Sequence, residues 1–194
     1  MRKSIMLAVA AASLGAGLLL AADAPKKGPV APRKAAEFVF KMPDGSQRLL
    51  SAYRGKTVVL AMMFTTCPHC QKTAQVMTKI QSEYAAKGVQ MLGAVFDQGA
   101  ASRVLSFEKQ VGLNFPIGSS EQGPVLEFLG LPPTDPYFVP ILVFIDRRGM
   151  VRGQYVGDEN FLNHQEVNIR AEIEKMLKTG PVSSAAPAHA APKS

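Results

Sequence analysis

The feature that most constrains this chain is the stretch VVLAMMFTTCPHCQKTAQVM at residues 58–77, which holds both of its cysteines, Cys67 and Cys70. An apolar run leads into the pair, and apolar residues at helical spacing lead out of it. A continuous apolar run of this length is typical of a central strand that is covered on both faces. The chain must therefore place two closely spaced thiols where a buried strand passes into a helix.

Strand and helix patterns alternate through the middle of the chain. They predict a hairpin around residues 44–45, strands at 57–64, 89–96, 140–146 and 150–157, helices at 67–88, 100–112 and 121–130, and a closing helix at 159–177. Strand–helix–strand units followed by a hairpin and a last helix predict an α/β fold, a three-layer α/β/α sandwich with a mixed central sheet.

The two ends of the chain have a different composition. A basic start, an apolar run at 5–20 and the small residues AADA predict a signal peptide at 1–22 that is cleaved after Ala22, although an uncleaved membrane anchor stays open. A Pro/Lys/Ala linker at 23–36 and an Ala/Pro/Ser tail at 179–194 are predicted to be disordered. One domain, 37–178, remains, and we expect it to be exported into an oxidising compartment.

The charge of the chain does not favour nucleic acid as a partner. The formal net charge is +7, but seven of the 22 Lys and Arg residues lie in the terminal segments: Arg2, Lys3, Lys26, Lys27, Arg33, Lys34 and Lys193. Residues 35–180 carry 15 basic and 14 acidic side chains. A phosphate-binding groove needs clustered positive charge on the folded surface, which this distribution does not provide.

The position of the cysteines predicts their roles. Cys67 stands at the start of the helix, with Pro68 in the first helical position, so unpaired N–H groups and the positive helix end stabilise a thiolate there. We expect Cys67 to be the exposed nucleophile that forms a mixed disulfide and Cys70, which points toward the core, to resolve it. His69 adds a hydrogen bond or a positive charge beside the thiolate, which favours the reduced form.

CPHC after an apolar strand, with a late proline opening PILVFIDRRG, resembles the thioredoxin superfamily. Within it, DGSQRLLSAYRGKTVVLAMMF is similar to the approach to the active site in the exported TlpA/ResA-like thiol–disulfide oxidoreductases, and the resemblance covers 37–178. It implies a thioredoxin-like domain in which Val139–Pro140 is a cis peptide packed against the disulfide. Phe138 and Val139, beside this proline, are the predicted substrate-binding residues.

The resemblance also implies how such a protein works in the cell. The redox-active Cys67–Cys70 pair would serve without any further cofactor, and no metal site is expected. Clients would be cysteines of other exported proteins, apocytochrome c being an example from the family. An upstream redox partner, such as a membrane thiol–disulfide carrier, would renew the pair, and the protein is expected to be a monomer.

Several residues depart from the family pattern and leave the direction of electron flow open. Thr66 stands where thioredoxins have Trp, and Ala61 stands where many relatives have an acid that relays a proton to the buried cysteine. The dipeptide within CPHC, together with Val139, resembles the dithiol oxidase DsbA rather than the reductive TlpA group.

Other classes explain the cysteines less well. A zinc site needs four ligands, and a peroxiredoxin would show Thr rather than Phe64 three residues before its cysteine. A Sco-like copper-delivery protein has CxxxC and a late histidine, for which only the predicted helix residue His164 is available in the domain. A structural CxxC disulfide would constrain little of the unfolded chain. A thioredoxin-fold binding module without enzymatic activity also stays open.

Overall fold

The computed structural model describes residues 31–178. The strands are β1 (Arg33–Lys34), β2 (Val39–Lys41), β3 (Gln47–Leu49), β4 (Thr57–Met63), β5 (Val89–Val95), β6 (Ile117–Ser119), β7 (Ile141–Ile145) and β8 (Met150–Val156). The helices are α1 (Pro68–Tyr84), α2 (Ala100–Val111), α3 (Gln122–Leu129), α4 (Glu159–Asn163) and α5 (Gln165–Lys178), and two 3-10 turns lie at Leu50–Tyr53 and Ala85–Lys87.

The strands form a single mixed sheet in the order β1-β8-β7-β4-β5-β6-β2-β3. Strand β4 runs parallel to β5 and antiparallel to β7, with Ala61 opposite both Gly93 and Leu142. Because β4 is fully buried and alternates its side chains, it supplies both faces of the core. The predicted mixed sheet is confirmed.

Two apolar clusters fill the space on either side of the sheet. One joins Val59 and Met63 of β4 to helices α1, α2 and α5, and the other joins Leu60 and Met62 to α3 and the Phe38 segment. Each face of the sheet is thus covered by helices. The three-layer α/β/α sandwich is confirmed.

Helix α1 carries the residues that matter most for the site. Its buried side chains recur at helical spacing, at Cys70, Thr73, Ala74, Met77, Ile80, Gln81 and Tyr84. The helix passes through a 3-10 turn to Gly88, whose φ of 78° is the left-handed conformation that favours glycine at a helix end. Helix α1 therefore runs from its first turn at Cys67 along the face of the sheet.

The structure corrects the boundary of the predicted linker at 23–36. Arg33 and Lys34 form the edge strand β1, paired with Val151 and Met150 of β8, and Ala35 is buried. A two-residue strand is too short to show a period, so the sequence pattern could not reveal it. The predicted signal peptide at 1–22, the linker residues before 31 and the tail at 179–194 lie outside the described residues.

Two further elements differ from the predicted ones. Strand β6 was not expected, and the closing helix is two helices, because the backbone leaves the helical conformation at His164, where φ is −123° and ψ is 37°. The side-chain amide of Asn168 then donates to the carbonyl of Phe161 at 2.8 Å across the break. Within residues 31–178, no helix has the length and apolarity that a membrane span requires.

Candidate active site

Cys67 lies at the junction between the strand β4 segment and helix α1. It is the N-cap residue of α1, with extended backbone angles, and Pro68 follows in the first turn. The Cys67 Sγ accepts a hydrogen bond from the backbone N–H of Cys70 at 3.4 Å. Since the first N–H groups of a helix lack intrahelical partners, this contact stabilises a negatively charged sulfur at Cys67.

Cys70, one turn further along α1, has a different environment. Cys67 is partly exposed and Cys70 is fully buried, and both are free thiols. Burial raises the pKa of the Cys70 thiol, and the nearby Cys67 sulfur and Asp97 carboxylate add to the rise. The pair is therefore asymmetric, with one accessible sulfur at a helix end and one protonated thiol behind it.

The late proline segment lies against the cysteine pair although it is distant in sequence. The Cys67 Sγ is 4.0 Å from the carbonyl oxygen of Val139, and the Val139–Pro140 peptide bond is cis. Pro140 is buried, whereas the Phe138 side chain is 68% exposed. The structure thus brings Cys67, Val139 and Pro140 together and leaves Phe138 on the adjoining surface.

His69 lies outside the packed part of the site. Its side chain is exposed and lines a groove of about 360 Å³ with Lys72, Thr73, Glu159, Leu162, Asn163 and Gln165. Within residues 31–178 the structure gives the His69 ring no hydrogen bond to Cys67. Thiolate tuning by His69 stays a prediction, and only a screened charge effect is consistent with this position.

A polar cluster close to the cysteine pair was not predicted from the sequence. The Asp97 carboxylate, behind the end of β5, accepts hydrogen bonds from the Thr65 N–H at 2.8 Å and from the Thr65 hydroxyl at 2.7 Å. The Arg103 guanidinium of α2 pairs with the same carboxylate. The available signal was an Asp following a buried strand that runs parallel to β4, since the ends of parallel strands meet at one edge of the sheet.

The structure also shows where the residues that depart from the family pattern lie, and where the candidate copper ligand lies. Thr66 is exposed, and Ala61 is fully buried within β4. His164 is exposed between α4 and α5. In the part of the chain that the structure describes, no three His, Cys, Asp or Glu side chains are grouped closely enough to hold a metal ion.

Comparison with known proteins shows which family this chain resembles. Residues 31–169 match the model of the Redoxin family. The chain is 26% identical over 146 residues to the thiol-disulfide oxidoreductase ResA of Bacillus thuringiensis subsp. konkukian, a match that covers 75% of this chain and 76% of that protein.

Solved structures with similar folds are also known. A protein of Chlorobium tepidum assigned as a thiol:disulfide interchange protein DsbE superposes with a TM-score of 0.58 at 25% identity, covering 76% of this chain and 98% of that one. A thiol:disulfide interchange protein of the thioredoxin family from Chlorobium tepidum TLS has a TM-score of 0.63 at 21% identity, covering 77% and 99% of the two chains. The second likeness bears on the fold alone.

Proposed function

This chain belongs to the Redoxin family, and on that premise we propose that it is an exported thiol–disulfide oxidoreductase that exchanges disulfides with cysteines of other extracytoplasmic proteins. The observation that carries the proposal is the asymmetric thiol pair at the start of α1. Cys67 is partly exposed and its sulfur accepts a hydrogen bond from a backbone N–H, while Cys70 is fully buried one turn away. This arrangement supplies an attacking sulfur and a resolving sulfur in fixed order.

The exchange has two steps when the protein reduces a client. The Cys67 thiolate attacks one sulfur of the client disulfide, so that a Cys67–client disulfide forms and the other client sulfur leaves as a thiolate. Cys70 then loses its proton and attacks the Cys67 sulfur, which forms the Cys67–Cys70 disulfide and releases the second client thiol. The client gains two electrons and the pair loses two, and the reverse sequence oxidises a client dithiol.

The late proline segment is the proposed binding surface for the client backbone. The Val139 carbonyl lies 4.0 Å from the Cys67 sulfur, so an extended client segment that places its sulfur on Cys67 must pass beside Val139 and Pro140. The exposed Phe138 ring then offers an apolar surface to the residues that flank the client cysteine. Backbone contact at Val139 would tolerate many client sequences, which suits a general exchange partner.

The remaining expectations for the cell are part of the same proposal. The dithiol is itself the redox group, so the proposed reaction requires no further cofactor. The apolar N-terminal run at 5–20 supports export, and an upstream thiol–disulfide carrier would restore the pair after each cycle. The direction of net electron flow then depends on the reduction potential of the pair relative to that carrier.

Two single-cysteine variants test the proposal. In Cys70→Ser the nucleophile remains but cannot be released, so we expect mixed disulfides with exported client proteins to accumulate as reductant-sensitive bands on non-reducing gels. Cys67→Ser retains only a buried thiol and should trap none, which makes it the matched control. Equal trapping by both variants would show that the roles are assigned wrongly, and trapping by neither would exclude exchange with protein clients.

A further inference from the structure

Thr65, in the segment that leads into the nucleophile, makes an unusually full set of hydrogen bonds. Its N–H and its hydroxyl donate to the two carboxylate oxygens of Asp97 at 2.8 and 2.7 Å. Its hydroxyl also accepts from the Arg103 Nε at 2.8 Å, and its carbonyl accepts from the Gln71 side chain at 3.2 Å. Because every polar group of Thr65 has a partner and the residue is buried, the backbone two residues before Cys67 is fixed.

The carboxylate that holds Thr65 is a charged group in a mostly enclosed position. The Asp97 side chain is 11% exposed, and the Arg103 guanidinium that pairs with it comes from α2 and is 38% exposed. Burial alone would raise the pKa of Asp97, but hydrogen bonds from Thr65 and Arg103 outweigh it and hold the pKa below its ordinary value. Asp97 therefore stays negative at the pH values at which disulfide exchange occurs.

The charge of Asp97 also acts on the second cysteine. Cys70 is enclosed by apolar side chains of the cluster around α1, and this burial is the main cause of its raised pKa, to which the Cys67 sulfur and the Asp97 carboxylate add. Both oppose the loss of a proton from Cys70. The carboxylate thus links the segment before the nucleophile to the protonation of the resolving thiol.

We propose that Asp97 is a positioning residue of the exchange reaction. It fixes the Thr65 segment ahead of Cys67, and its negative charge close to the cysteine pair slows the attack of Cys70 on the mixed disulfide. The proposal rests on the proposed function, because it needs Cys67 to attack and Cys70 to resolve. A delayed resolution lengthens the time for which the client stays covalently bound to Cys67 after its own partner sulfur has left. Arg103 limits the effect by neutralising part of the charge.

The two steps can be observed separately with the aromatic disulfide 5,5′-dithiobis(2-nitrobenzoate). Attack by the Cys67 thiolate forms a Cys67–thionitrobenzoate disulfide and releases one thionitrobenzoate. Attack by Cys70, after its proton passes to solvent, forms the Cys67–Cys70 disulfide and releases the second. The dithiol loses two electrons and the reagent gains two, so stopped-flow absorbance should show two phases of equal amplitude.

Three variants separate charge from structure. Asp97→Asn removes the charge, while the amide oxygen can still accept from the Thr65 N–H and the amide nitrogen can donate to the Thr65 hydroxyl. The second phase should then become about 3- to 10-fold faster at neutral pH, and the plot of log rate against pH should shift upward. Arg103→Gln leaves the carboxylate unneutralised and should slow the second phase. Thr65→Val removes the hydroxyl but keeps the charge, so its second phase should stay within about 2-fold of the unmodified protein.

The outcomes distinguish this inference from the function on which it rests. A missing second phase in the unmodified protein would count against the exchange mechanism itself. Two normal phases, with a second phase that Asp97→Asn leaves unchanged or slows, would overturn the role of the Asp97 charge. An equal acceleration in Thr65→Val would also overturn it, since a loosened segment rather than a lost charge would then explain the result.

Discussion

Two carboxylates, Asp97 and Asp146, occupy similar local settings at opposite ends of the strands of the sheet. Each follows a buried strand, β5 or β7, accepts a hydrogen bond from at least one backbone N–H group and pairs with an arginine. Strand β4 lies between them, parallel to β5 and antiparallel to β7. The strand directions therefore place Asp97 beside the cysteines and Asp146 at the far end.

The far carboxylate closes a hairpin. Asp146 accepts from the N–H groups of Arg148 and Met150 at 2.9 and 3.0 Å and from the Arg152 Nε at 2.8 Å. Gly149 completes the turn with a φ of 79°, a conformation that favours glycine. The same local arrangement, a carboxylate behind a buried strand, thus stabilises a turn at one end of the sheet and acts on thiol chemistry at the other.

The strongest test of this contrast is the removal of the far carboxylate. Asp146→Ala leaves two backbone N–H groups and Arg152 without their acceptor, and we expect the free energy of unfolding to fall by about 2–3 kcal/mol. The rates of both thiol phases should not change, because the cysteines lie at the opposite end. Urea unfolding of the oxidised protein and stopped-flow kinetics measure the two effects.

A surface variant serves as the control for that comparison. Glu121→Gln breaks an ion pair with Lys41 in which both side chains are more than half exposed, so it should change stability by less than about 0.5 kcal/mol. If Asp146→Ala altered the rate of either thiol phase, the two ends of the sheet would be coupled and the contrast would fail.

Acid unfolding should reveal what the two carboxylates share. Burial raises the pKa of each, but hydrogen bonds and the paired arginine hold the pKa of both Asp97 and Asp146 below the ordinary value. A lowered carboxyl pKa contributes stability that is fully present above the unfolded pKa, about 3.9, and is lost as the pH falls through the folded value. Stability should therefore decline from about pH 5 downward.

The variants Asp97→Asn and Asp146→Asn should each flatten that decline between pH 5 and pH 2, because neither retains a carboxyl group that can be protonated at that position. Denaturant unfolding at a series of pH values measures the slope. If the unfolding free energy of either variant fell with pH as steeply as that of the unmodified protein, its carboxylate would contribute no proton-linked stability. The two carboxylates would then differ in how they stabilise the fold.

The sequence predicted most of the fold because long apolar runs and helical spacing are local signals. It predicted β4 and β5 to within one residue, since a strand buried on both faces leaves little choice of residue type. It missed β6, whose three residues are ordered by pairing with β5 and β2, which a short window cannot show.

The residues of the site also divide into those that the local sequence predicts and those that only tertiary contacts bring together. Cys67, Pro68 and Cys70 are neighbours in the chain, and their roles follow from one strand–helix junction. Asp97 is 32 residues from Thr65, and their contact depends on the register of β4 against β5. No catalytic role for Asp97 is predicted from the sequence, because only tertiary pairing brings it to the cysteines.

The smallest expected effect concerns His69, the other polar side chain that could tune the pair. His69 is exposed and beside Cys67, whereas Asp97 is enclosed behind Cys70, so solvent and salt screen the histidine far more. A stabilised thiolate favours the dithiol and raises the reduction potential. His69→Ala should therefore lower the potential, by no more than about 30 mV, as measured by equilibration with glutathione.

Added salt separates two explanations for such a decrease, and it should abolish the difference if the effect of His69 is electrostatic. A decrease that persisted in 1 M salt would indicate a direct hydrogen bond to the thiolate, and an unchanged potential would leave the helix start and Asp97 as the groups that set the chemistry of CPHC.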